Sequence, residues 1–288
     1  MDVKVFLLKS FGINESGGNP AGVVLNTELL NDEQKKIISK KVGFSETAFI
    51  EKSDKADYKV RFFTPTEEVD LCGHATIATY SLLFQKGLIM PGNYTQELKV
   101  GVLEIKINND GTIIMEQSLP KFSEFVVEAD IRNVFNKILS FDELKPQVVS
   151  TGLRDIILHV KNREILDSLI PDLQLMTKIN KKTNSIGFHV FTFDTYSSES
   201  VALCRNFAPL YGINEESATG SSNGALACYL YKYDKLNKNN FDSLVFEQGY
   251  SMNAPSNILV KLEVSGVNIT KVWVGGRAIL FGEKEINI

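Results

Sequence analysis

Short apolar or alternating runs, typical of β-strands, recur along most of the chain, and a few stretches between them have the spacing of helices. The pattern predicts strands at 3–8, 58–63, 98–107, 112–116, 155–160, 186–193, 201–207, 257–264 and 269–274, and helices at 31–43, 74–87, 129–140 and 222–236. Because strands and helices do not alternate one for one, the pattern favours an α+β architecture over a doubly wound parallel sheet. In the first helix, Asn31 or Asp32 is the expected cap and Gly43 the expected stop.

Two of the predicted helices follow the same sequence preamble. The first preamble reads RFFTP at 61–65 and ends in CGHA at 72–75, and the second reads RNFAP at 205–209 and ends in TGSS at 219–222. The two arginines are 144 positions apart (205 minus 61), which is half of the 288 residues. We therefore predict an internal duplication, in which each half has a helix that is apolar over most of its surface and enclosed by a curled sheet.

Pro120, in the run SLPKFSEFVVEAD, marks the expected boundary between two lobes. The N-terminal lobe is expected at 1–120, completed by a C-terminal strand at 277–288, and the C-terminal lobe at 121–276. No low-complexity linker separates the two lobes in the sequence.

Composition narrows the expected partners and compartment. Lys and Arg number 31 and Asp and Glu 35, so the net charge of −4 provides no basic surface for nucleic acid. No segment approaches the roughly 20 apolar residues of a membrane-spanning helix, and the first residues lack the pattern of a signal peptide. The three cysteines form no C-x-x-C pair and are too few for a disulfide framework. We therefore expect a cytoplasmic protein that binds neither nucleic acid nor a membrane.

The glycines that open the two repeated helices, Gly73 and Gly220, are candidates for a carboxylate-binding turn. The free N–H groups and the dipole of a helix start attract an anion, and two such starts facing each other would form a pocket for a small carboxylate. A lone glycine in this position is more often only a sharp turn, but the matched pair favours a binding site.

Polar residues cluster around these turns, and together they suit proton transfer at carbon. They are Asn19, Glu46, Asp70, His74, Glu215, Glu216 and Ser221. Carboxylates and a histidine can abstract and return a proton if burial raises the carboxylate pKa values towards neutrality. The positive end of the helix dipole is expected to keep the His74 imidazole neutral. The competing interpretation is that Glu46 is a solvated surface group and His74 a helix residue bonded to the backbone.

Neither metal nor nucleotide binding is expected from the sequence. No His, Cys or carboxylate cluster has zinc-ligand spacing, and the glycine-rich stretch at 12–22 lacks the order of a phosphate-binding loop. His159 and His189 alternate with apolar neighbours in predicted strands, so we interpret both as structural.

In its motifs the chain resembles the phenazine-biosynthesis PhzF-like isomerases, within the diaminopimelate epimerase and proline racemase superfamily. The resemblance covers nearly the whole chain through GGNPAGVVL at 17–25, GFSETAFI at 43–50, RFFTPTEEVDLCGHATIAT at 61–79, FAPLYGINEESATGSSNGALACYL at 207–230, EQGYSMNAPSNILV at 247–260 and VWVGGRAIL at 272–280. It implies two pseudo-symmetric lobes, each a curled, barrel-like sheet around a central helix, with the active site in the cleft between them. It also implies an enzyme without a cofactor that forms a homodimer.

The resemblance further implies roles for individual residues. Glu46 would be the general acid/base. The residues assigned to the cleft and to the substrate carboxylate are Asn19, Gly73, His74, Gly220 and Ser221. Two positions depart from the family's pattern: Glu216-Ser217 stands where the family commonly has Asp-Pro, and Asn253-Ala254 where it often has Gly-Arg.

Racemases of the superfamily use two thiols, one on each face of the substrate carbon. Cys72 precedes Gly73, as one such thiol would, but Ala218 stands at the place compared with it before Thr219-Gly220. A thiol pair is therefore disfavoured, and a proton shift driven by a carboxylate on one face is preferred.

We therefore expect a cofactor-independent isomerase that moves a proton, and with it a double bond, in a small carboxylate-bearing metabolite. Glu46 would abstract and return the proton, with His74 and Glu216 assisting. The expected substrate-binding residues are Asn19, Asp70, Gly73, Gly220 and Ser221. Two alternatives stay open: an amino- or hydroxy-acid racemase or epimerase that works without the second thiol, and a ligand-binding protein of the same fold that has lost the chemistry.

Overall fold

The structure, a computed structural model, describes residues 1–136, 144–237 and 240–288. Its strands are β1 Asp2–Ser10, β2 Asn19–Val24, β3 Thr47–Glu51, β4 Tyr58–Phe63, β5 Glu68–Val69, β6 Gly92–Leu98, β7 Gly101–Ile107, β8 Ile113–Gln117, β9 Lys121–Phe125, β10 Gln147–Ser150, β11 Arg154–His159, β12 Gly187–Thr192, β13 Ala202–Ala208, β14 Ile213–Glu216, β15 Leu244–Gln248, β16 Ser256–Ser265, β17 Asn268–Gly276 and β18 Ala278–Asn287. Its helices are α1 Asp32–Val42, α2 Gly73–Gln85, α3 Glu128–Ile131, α4 Arg163–Asp167, α5 Leu173–Thr183 and α6 Gly220–Lys232, with short 3₁₀ helices at Pro209–Tyr211 and Tyr250–Met252. Many strands and few helices confirm the predicted α+β class.

The chain divides into two compact units. Unit 1 comprises Met1–Glu116 and Gly275–Ile288, and unit 2 comprises Gln117–Val274. The division falls at the end of β8, a few residues before Pro120, and β18 belongs to unit 1.

In unit 1, the sheet surrounds one central helix. Its strands pair in the order β18–β1–β2–β3–β4–β6–β7–β8, with β5 also beside β4. The β2–β3 and β4–β6 pairs are parallel and the others antiparallel. Helix α2 packs against β1, β2, β3 and β18, and every residue from His74 to Leu83 is buried. The helix therefore forms the core of the unit, as its apolar sequence predicts.

Unit 2 repeats this pairing pattern. Its strands pair in the order β9–β10–β11–β12–β13–β15–β16, with β14 also beside β13. The parallel pairs are β11–β12 and β13–β15. Helix α6 packs against β10, β11 and β16, and residues Ser222 to Leu230 are buried. The same succession of parallel and antiparallel pairs in both units supports the predicted duplication.

The strand register equates individual positions of the two units. Arg61 of β4 and Arg205 of β13 hold the same place in the pairing. Each arginine donates two hydrogen bonds of 2.8 Å to one glutamate, Glu68 in unit 1 and Glu215 in unit 2. Each guanidinium also lies 5.0 Å from the ring of the phenylalanine two residues further along. If Arg61 and Arg205 are aligned, the residues paired with them in the sheets align as well. Each paired residue of one unit then has a counterpart at the same place in the other unit.

Helix α1 begins and ends where the sequence predicts. The Asn31 side chain accepts the Gln34 N–H, and the Gln34 side chain accepts the Asn31 N–H, both at 3.0 Å. Gly43, at φ 86°, ends the helix in a left-handed conformation that other residues rarely adopt. Within the described part of the chain, no helix has the length and apolar character needed to cross a membrane.

Two helices of unit 2, α4 and α5, are missing from the predicted elements. They begin after Asn162 and Asp172, whose side chains each accept a backbone N–H of the first turn. Helix α4 has five residues, too few to show a helical period, and α5 buries only a narrow stripe that includes Met176 and Ile179. The caps were therefore the stronger signal in the sequence.

The helix predicted at 129–140 is wrong in extent. The described helix is only Glu128–Ile131, and residues 137–140 lie outside the described residues. The helix ends early because the Val134 carbonyl and the Asn136 N–H bond the backbone of the segment at 170–172.

Candidate active site

The first repeated turn lies at the start of α2 in unit 1. The helix begins at Gly73, and His74 is buried in its first turn, 5% exposed. The Ser10 hydroxyl donates a 2.6 Å hydrogen bond to the His74 carbonyl oxygen and fixes the turn against β1. A Cβ on Gly73 would meet only the Met115 side chain, at 3.5 Å, so packing does not require glycine there. The space beside the helix start suits the close approach of a ligand.

Glu46 reaches the same place from the segment between α1 and β3. It is the last residue before the buried strand that begins at Thr47. Its side chain is 14% exposed, and Oε2 lies 3.2 Å from Nε2 of His74. The two side chains are therefore close enough for an ion pair. The competing interpretation of Glu46 as a solvated surface group is wrong.

Asn19 and Cys72 complete the group around the His74 ring. Asn19 is the first residue of β2, and its amide nitrogen lies 3.3 Å from Nδ1 of His74. The Cys72 sulfur lies 3.5 Å from Nδ1 and 3.8 Å from Nε2 of the same ring. The fold thus brings together Asn19, Glu46 and His74, which three separate motifs of the sequence supply.

The pKa values of Glu46 and His74 shift in the directions opposite to those expected from the sequence. Burial opposes ionisation of Glu46, but the contact with His74 outweighs it, so the pKa of Glu46 lies below its usual value. Burial also opposes protonation of His74, but the contacts with Cys72 and with the Glu46 carboxylate raise the pKa of His74 well above its usual value. The expectation of a neutral His74 is wrong, because the contacts with Cys72 and with the Glu46 carboxylate 3.2 Å away outweigh burial and the helix dipole. Near neutral pH the pair is a carboxylate and an imidazolium.

Cys72 remains a thiol beside this pair, because burial and the charge of Glu46 raise the pKa of Cys72. Glu46, Cys72 and His74 each place one possible metal-ligand atom within 4.8 Å of the others, a grouping that sequence spacing does not reveal. A metal could bind there only if Cys72 lost its proton and His74 its charge, so the carboxylate–imidazolium pair competes with metal binding.

The second repeated turn lies at the start of α6 in unit 2. The helix begins at Gly220, with Thr219 before it and the half-buried Ser221 in its first turn. The Thr219 hydroxyl donates a 2.6 Å hydrogen bond to Oε2 of Glu216. Gln248 holds this loop, because its Nε2 donates to the Glu216 carbonyl at 2.7 Å and its Oε1 accepts the Thr219 N–H at 3.2 Å. Glu216, Gly220 and Ser221 are therefore close neighbours within unit 2.

Two of the acidic candidates have other partners. Asp70 is 57% exposed and forms a 3.0 Å ion pair with Lys99, whereas Glu46 is nearly buried. Glu215 accepts two hydrogen bonds from Arg205 and one from the Ser251 hydroxyl, so its carboxylate is engaged within unit 2.

The counterpart of Cys72 in unit 2 is Thr219, and the comparison with Ala218 is wrong by one position. Both central helices begin at their glycine, so the residue immediately before Gly73 corresponds to the residue immediately before Gly220. A hydroxyl therefore stands where a two-thiol racemase would have its second thiol.

Sequence reasoning missed a set of buried polar residues in unit 2. They are Asp155, His189, Asn206, Ser222, Asn223 and Gln248. No local motif joins them, because they lie on five different elements. Strand register is the signal that could have found them: His189 lies directly opposite Asn206 once β12 pairs with β13.

Comparisons with known proteins identify a family for these residues. The family model of phenazine biosynthesis-like proteins, PhzC-PhzF, matches residues 8–284. An uncharacterized isomerase of Bacillus subtilis, YfhB, is 32% identical over 288 residues, which cover 96% of this chain and 96% of that protein. An uncharacterized isomerase of Escherichia coli K12, YddE, is 32% identical over 298 residues, which cover 99% of this chain and 98% of that protein.

Solved structures have the same fold. A phenazine biosynthesis protein of the PhzF family from Bacillus anthracis superposes with a TM-score of 0.89 at 29% identity, covering 100% of both chains. A hydroxyproline epimerase from Agrobacterium vitis, with trans-4-hydroxy-L-proline bound, has a TM-score of 0.67 at 12% identity, covering 99% of this chain and 91% of that one. The second likeness is one of fold alone. The chain belongs to the phenazine biosynthesis-like PhzC-PhzF family, and it is an isomerase.

Proposed function

We propose that this isomerase moves a proton at carbon in a small carboxylate, with Glu46 as the acid–base group and without a cofactor. The observation that carries the proposal is the buried Glu46–His74 pair, 3.2 Å apart, at the start of α2. A carboxylate kept ionised in a largely buried site is ready to accept a proton, and strongly perturbed buried pairs are frequent in active sites.

The reaction needs no other reactant, because Glu46 takes up one proton and returns it. The Glu46 carboxylate takes a proton from a carbon next to an electron-withdrawing group, and the C–H electron pair moves into the substrate as an enolate or a shifted double bond. The His74 imidazolium stabilises the negative charge that develops. Protonated Glu46 then returns its proton to a carbon of the same substrate, which completes the isomerisation and regenerates the carboxylate.

We assign substrate binding to Gly73, Gly220 and Ser221, because the N–H groups of a helix start attract a carboxylate. Glu216, held by Thr219, assists the proton relay. An imidazolium donates from both ring nitrogens, so we assign the amide oxygen of Asn19 to Nδ1 of His74, where it fixes the ring against β2.

Proton NMR in deuterated water tests the proposal on methylitaconate, L-proline and trans-4-hydroxy-L-proline, an unsaturated, an amino and a hydroxy-amino carboxylate. The native protein is compared with Glu46→Gln, and Glu104→Gln, at an exposed position of β7, is the matched control. We expect deuterium uptake or isomerised product with the native protein and the control, and neither with Glu46→Gln.

Three other results would count against the proposal. Turnover retained by Glu46→Gln would contradict the assignment of the base. Inversion of a stereocentre at the deuterated carbon would favour a racemase or epimerase. A rise in Tm with a panel compound that takes up no deuterium would favour a ligand-binding protein.

A further inference from the structure

A continuous chain of buried hydrogen bonds runs through unit 2 from Asp155 to Glu216. Six of its members are at most 2% exposed: Asp155, Ser222, Asn206, His189, Asn223 and Gln248. Most side-chain hydrogen bonds in proteins go to backbone or water, whereas these side chains bond to one another across β11, β12, β13, β15 and α6.

One arm of the chain begins at Asn206 and donates in a single direction. Nδ2 of Asn206 donates to Nδ1 of His189 at 3.2 Å. Nε2 of His189 donates to Oδ1 of Asn223 at 3.3 Å, and Nδ2 of Asn223 donates to Oε1 of Gln248 at 2.8 Å. Burial lowers the pKa of His189 to about 4, so the ring is neutral near pH 7 and carries its one proton on Nε2.

Both ends of the chain are carboxyl groups. Nε2 of Gln248 donates to the Thr219 hydroxyl at 3.1 Å, and that hydroxyl donates to Glu216 at 2.6 Å. In the other direction, Asn206 donates to the Ser222 hydroxyl at 3.2 Å, and Ser222 donates to Asp155. Every donor on the first arm therefore points along the chain towards Glu216.

The fold does not need this chain, because unit 1 has the same strand pairing without it. The unit 1 counterparts of His189, Asn206 and Glu216, identified by strand register, are Ala48, Phe62 and Val69. Apolar side chains thus occupy these sheet positions in unit 1. Polar groups are costly to bury, so a hydrogen-bonded polar chain through these positions in unit 2 indicates a purpose beyond packing.

We propose that this chain orients the Glu216 carboxylate, and that His189 is a positioning residue of the reaction, acting on Glu216 through Asn223, Gln248 and Thr219. The inference rests on the proposed function, in which Glu216 assists the proton relay. A glutamate without such partners samples several rotamers, whereas the Thr219 hydroxyl, itself held by Gln248, favours one orientation of the Glu216 carboxylate. His189 itself is fully buried and acts only through its neighbours.

Ring NMR of the full chain labelled with ¹⁵N-histidine tests the donor direction without a substrate. We expect a neutral His189 with its proton on Nε2 from about pH 5 to about pH 8. The signal is assigned by its absence in His189→Gln. A ring that carries its proton on Nδ1, or that becomes protonated within this range, would overturn the proposal, because the donors would then not lead to Glu216.

Kinetics test the effect on the reaction, with the carboxylate of the NMR panel that the native protein deuterates fastest. His189→Phe removes both ring hydrogen bonds, and His159→Phe, at the other histidine of unit 2, is the matched control. We expect kcat to fall about 10- to 100-fold in His189→Phe with KM nearly unchanged, because the base partner is misoriented rather than removed. His189→Gln, which keeps a donor and an acceptor, should recover most of the loss, and His159→Phe should match the native protein.

A double variant separates positioning from a general structural role. In the Glu216→Gln protein, adding His189→Phe should lower kcat by less than about twofold, because the positioned group is already gone. Equal losses in both backgrounds, or a native rate in Glu216→Gln, would overturn the proposal. The Glu46→Gln result decides the proposed function separately.

Thr219→Val cuts only the last link to Glu216 and keeps the test open if His189→Phe does not fold. It should lower kcat as His189→Phe does, with rescue by Thr219→Ser, and equal rates of these two Thr219 variants would overturn the proposal.

Discussion

The two units have the same strand pairing, and each has its own central helix. The polar groups at the start of that helix differ between the units. In unit 1, Glu46 and His74 form a charged pair beside the first turn of α2. Their counterparts in unit 2, by register and by helix start, are Gly187 and Ser221. The polar groups of unit 2 lie in the hydrogen-bonded chain that includes His189 and Asn206, whose counterparts in unit 1 are Ala48 and Phe62.

Unit 2 has no room for a side chain at the place of Glu46. A Cβ on Gly187 would lie 2.4 Å from the Phe207 carbonyl oxygen and 3.0 Å from the Asp155 carboxyl, so packing requires glycine there. Both units thus have a central helix that begins at a glycine, while one strand-end position decides which helix start has a glutamate beside it. The comparison teaches that the duplicated fold kept both helix starts while the polar side chains beside them diverged.

The largest expected effect comes from giving unit 1 the unit 2 residue. His74→Ser removes the imidazolium and leaves Glu46 in place, so we expect kcat to fall by about 10²- to 10³-fold, as for loss of one charge-stabilising donor. The measurement is the initial rate of deuterium uptake by the panel carboxylate, with Tm as the check on folding. A fall of less than about fivefold in a folded variant would mean that the pair is not the reacting group.

The charged pair also predicts the pH range of activity. The pKa of Glu46 lies below its usual 4.5, and the pKa of His74 lies above its usual 6.5, so carboxylate and imidazolium coexist throughout the interval between these two values. The rate should fall on the acid side only below pH 4.5 and on the alkaline side only above pH 6.5. A rate profile with an alkaline limb below pH 6.5 would contradict a protonated His74 as the active form.

In unit 2, the pH dependence should appear in stability instead. Burial, together with the charge of Glu216, raises the pKa of Asp155 from 3.8 to about 6. The unfolded chain therefore ionises first as pH rises, and the native state loses about 3 kcal/mol of unfolding free energy between these two values. Asp155→Asn should remove this loss, which denaturant unfolding at about pH 4 and about pH 7 would measure. An unchanged difference between the two pH values would contradict the buried ionisation.

The smallest expected effects are matched losses at helix caps far from either turn. Asn31→Ala in unit 1 and Asp172→Ala in unit 2 each remove a side-chain acceptor at a helix start. Each should lower the free energy of unfolding by about 1 kcal/mol, and the double variant by about the sum. Activity should stay at the native level, and a loss in either variant would show that the helix positions the site.

Features that depend on local sequence could be predicted. The repeated preambles ahead of Gly73 and Gly220 identified both central helices, because an apolar helix behind a glycine turn is visible in about fifteen residues. The motifs around Asn19, Glu46 and His74 identified three residues that the fold does bring together.

Features that depend on distances between strands could not be predicted. The charge state of His74 follows from a carboxylate 3.2 Å away, and no sequence pattern fixes that distance. The chain through His189 and Asn206 depends on the register of β12 against β13, since a shift of one residue would turn both side chains to the other face of the sheet. Helix α5 was missed because its buried stripe is narrow and its cap, Asp172, was not weighed.

A ring titration of His74 by ¹⁵N NMR, in the native protein and in Glu46→Gln, tests most directly whether unit 1 carries a charged pair. We predict an imidazolium at about pH 7 in the native protein, because the contacts with Cys72 and with the Glu46 carboxylate raise the pKa of His74. In Glu46→Gln the carboxylate charge is gone, so the pKa of His74 should fall. A neutral His74 at about pH 7 in the native protein, or an unchanged pKa of His74 in Glu46→Gln, would contradict the charged pair.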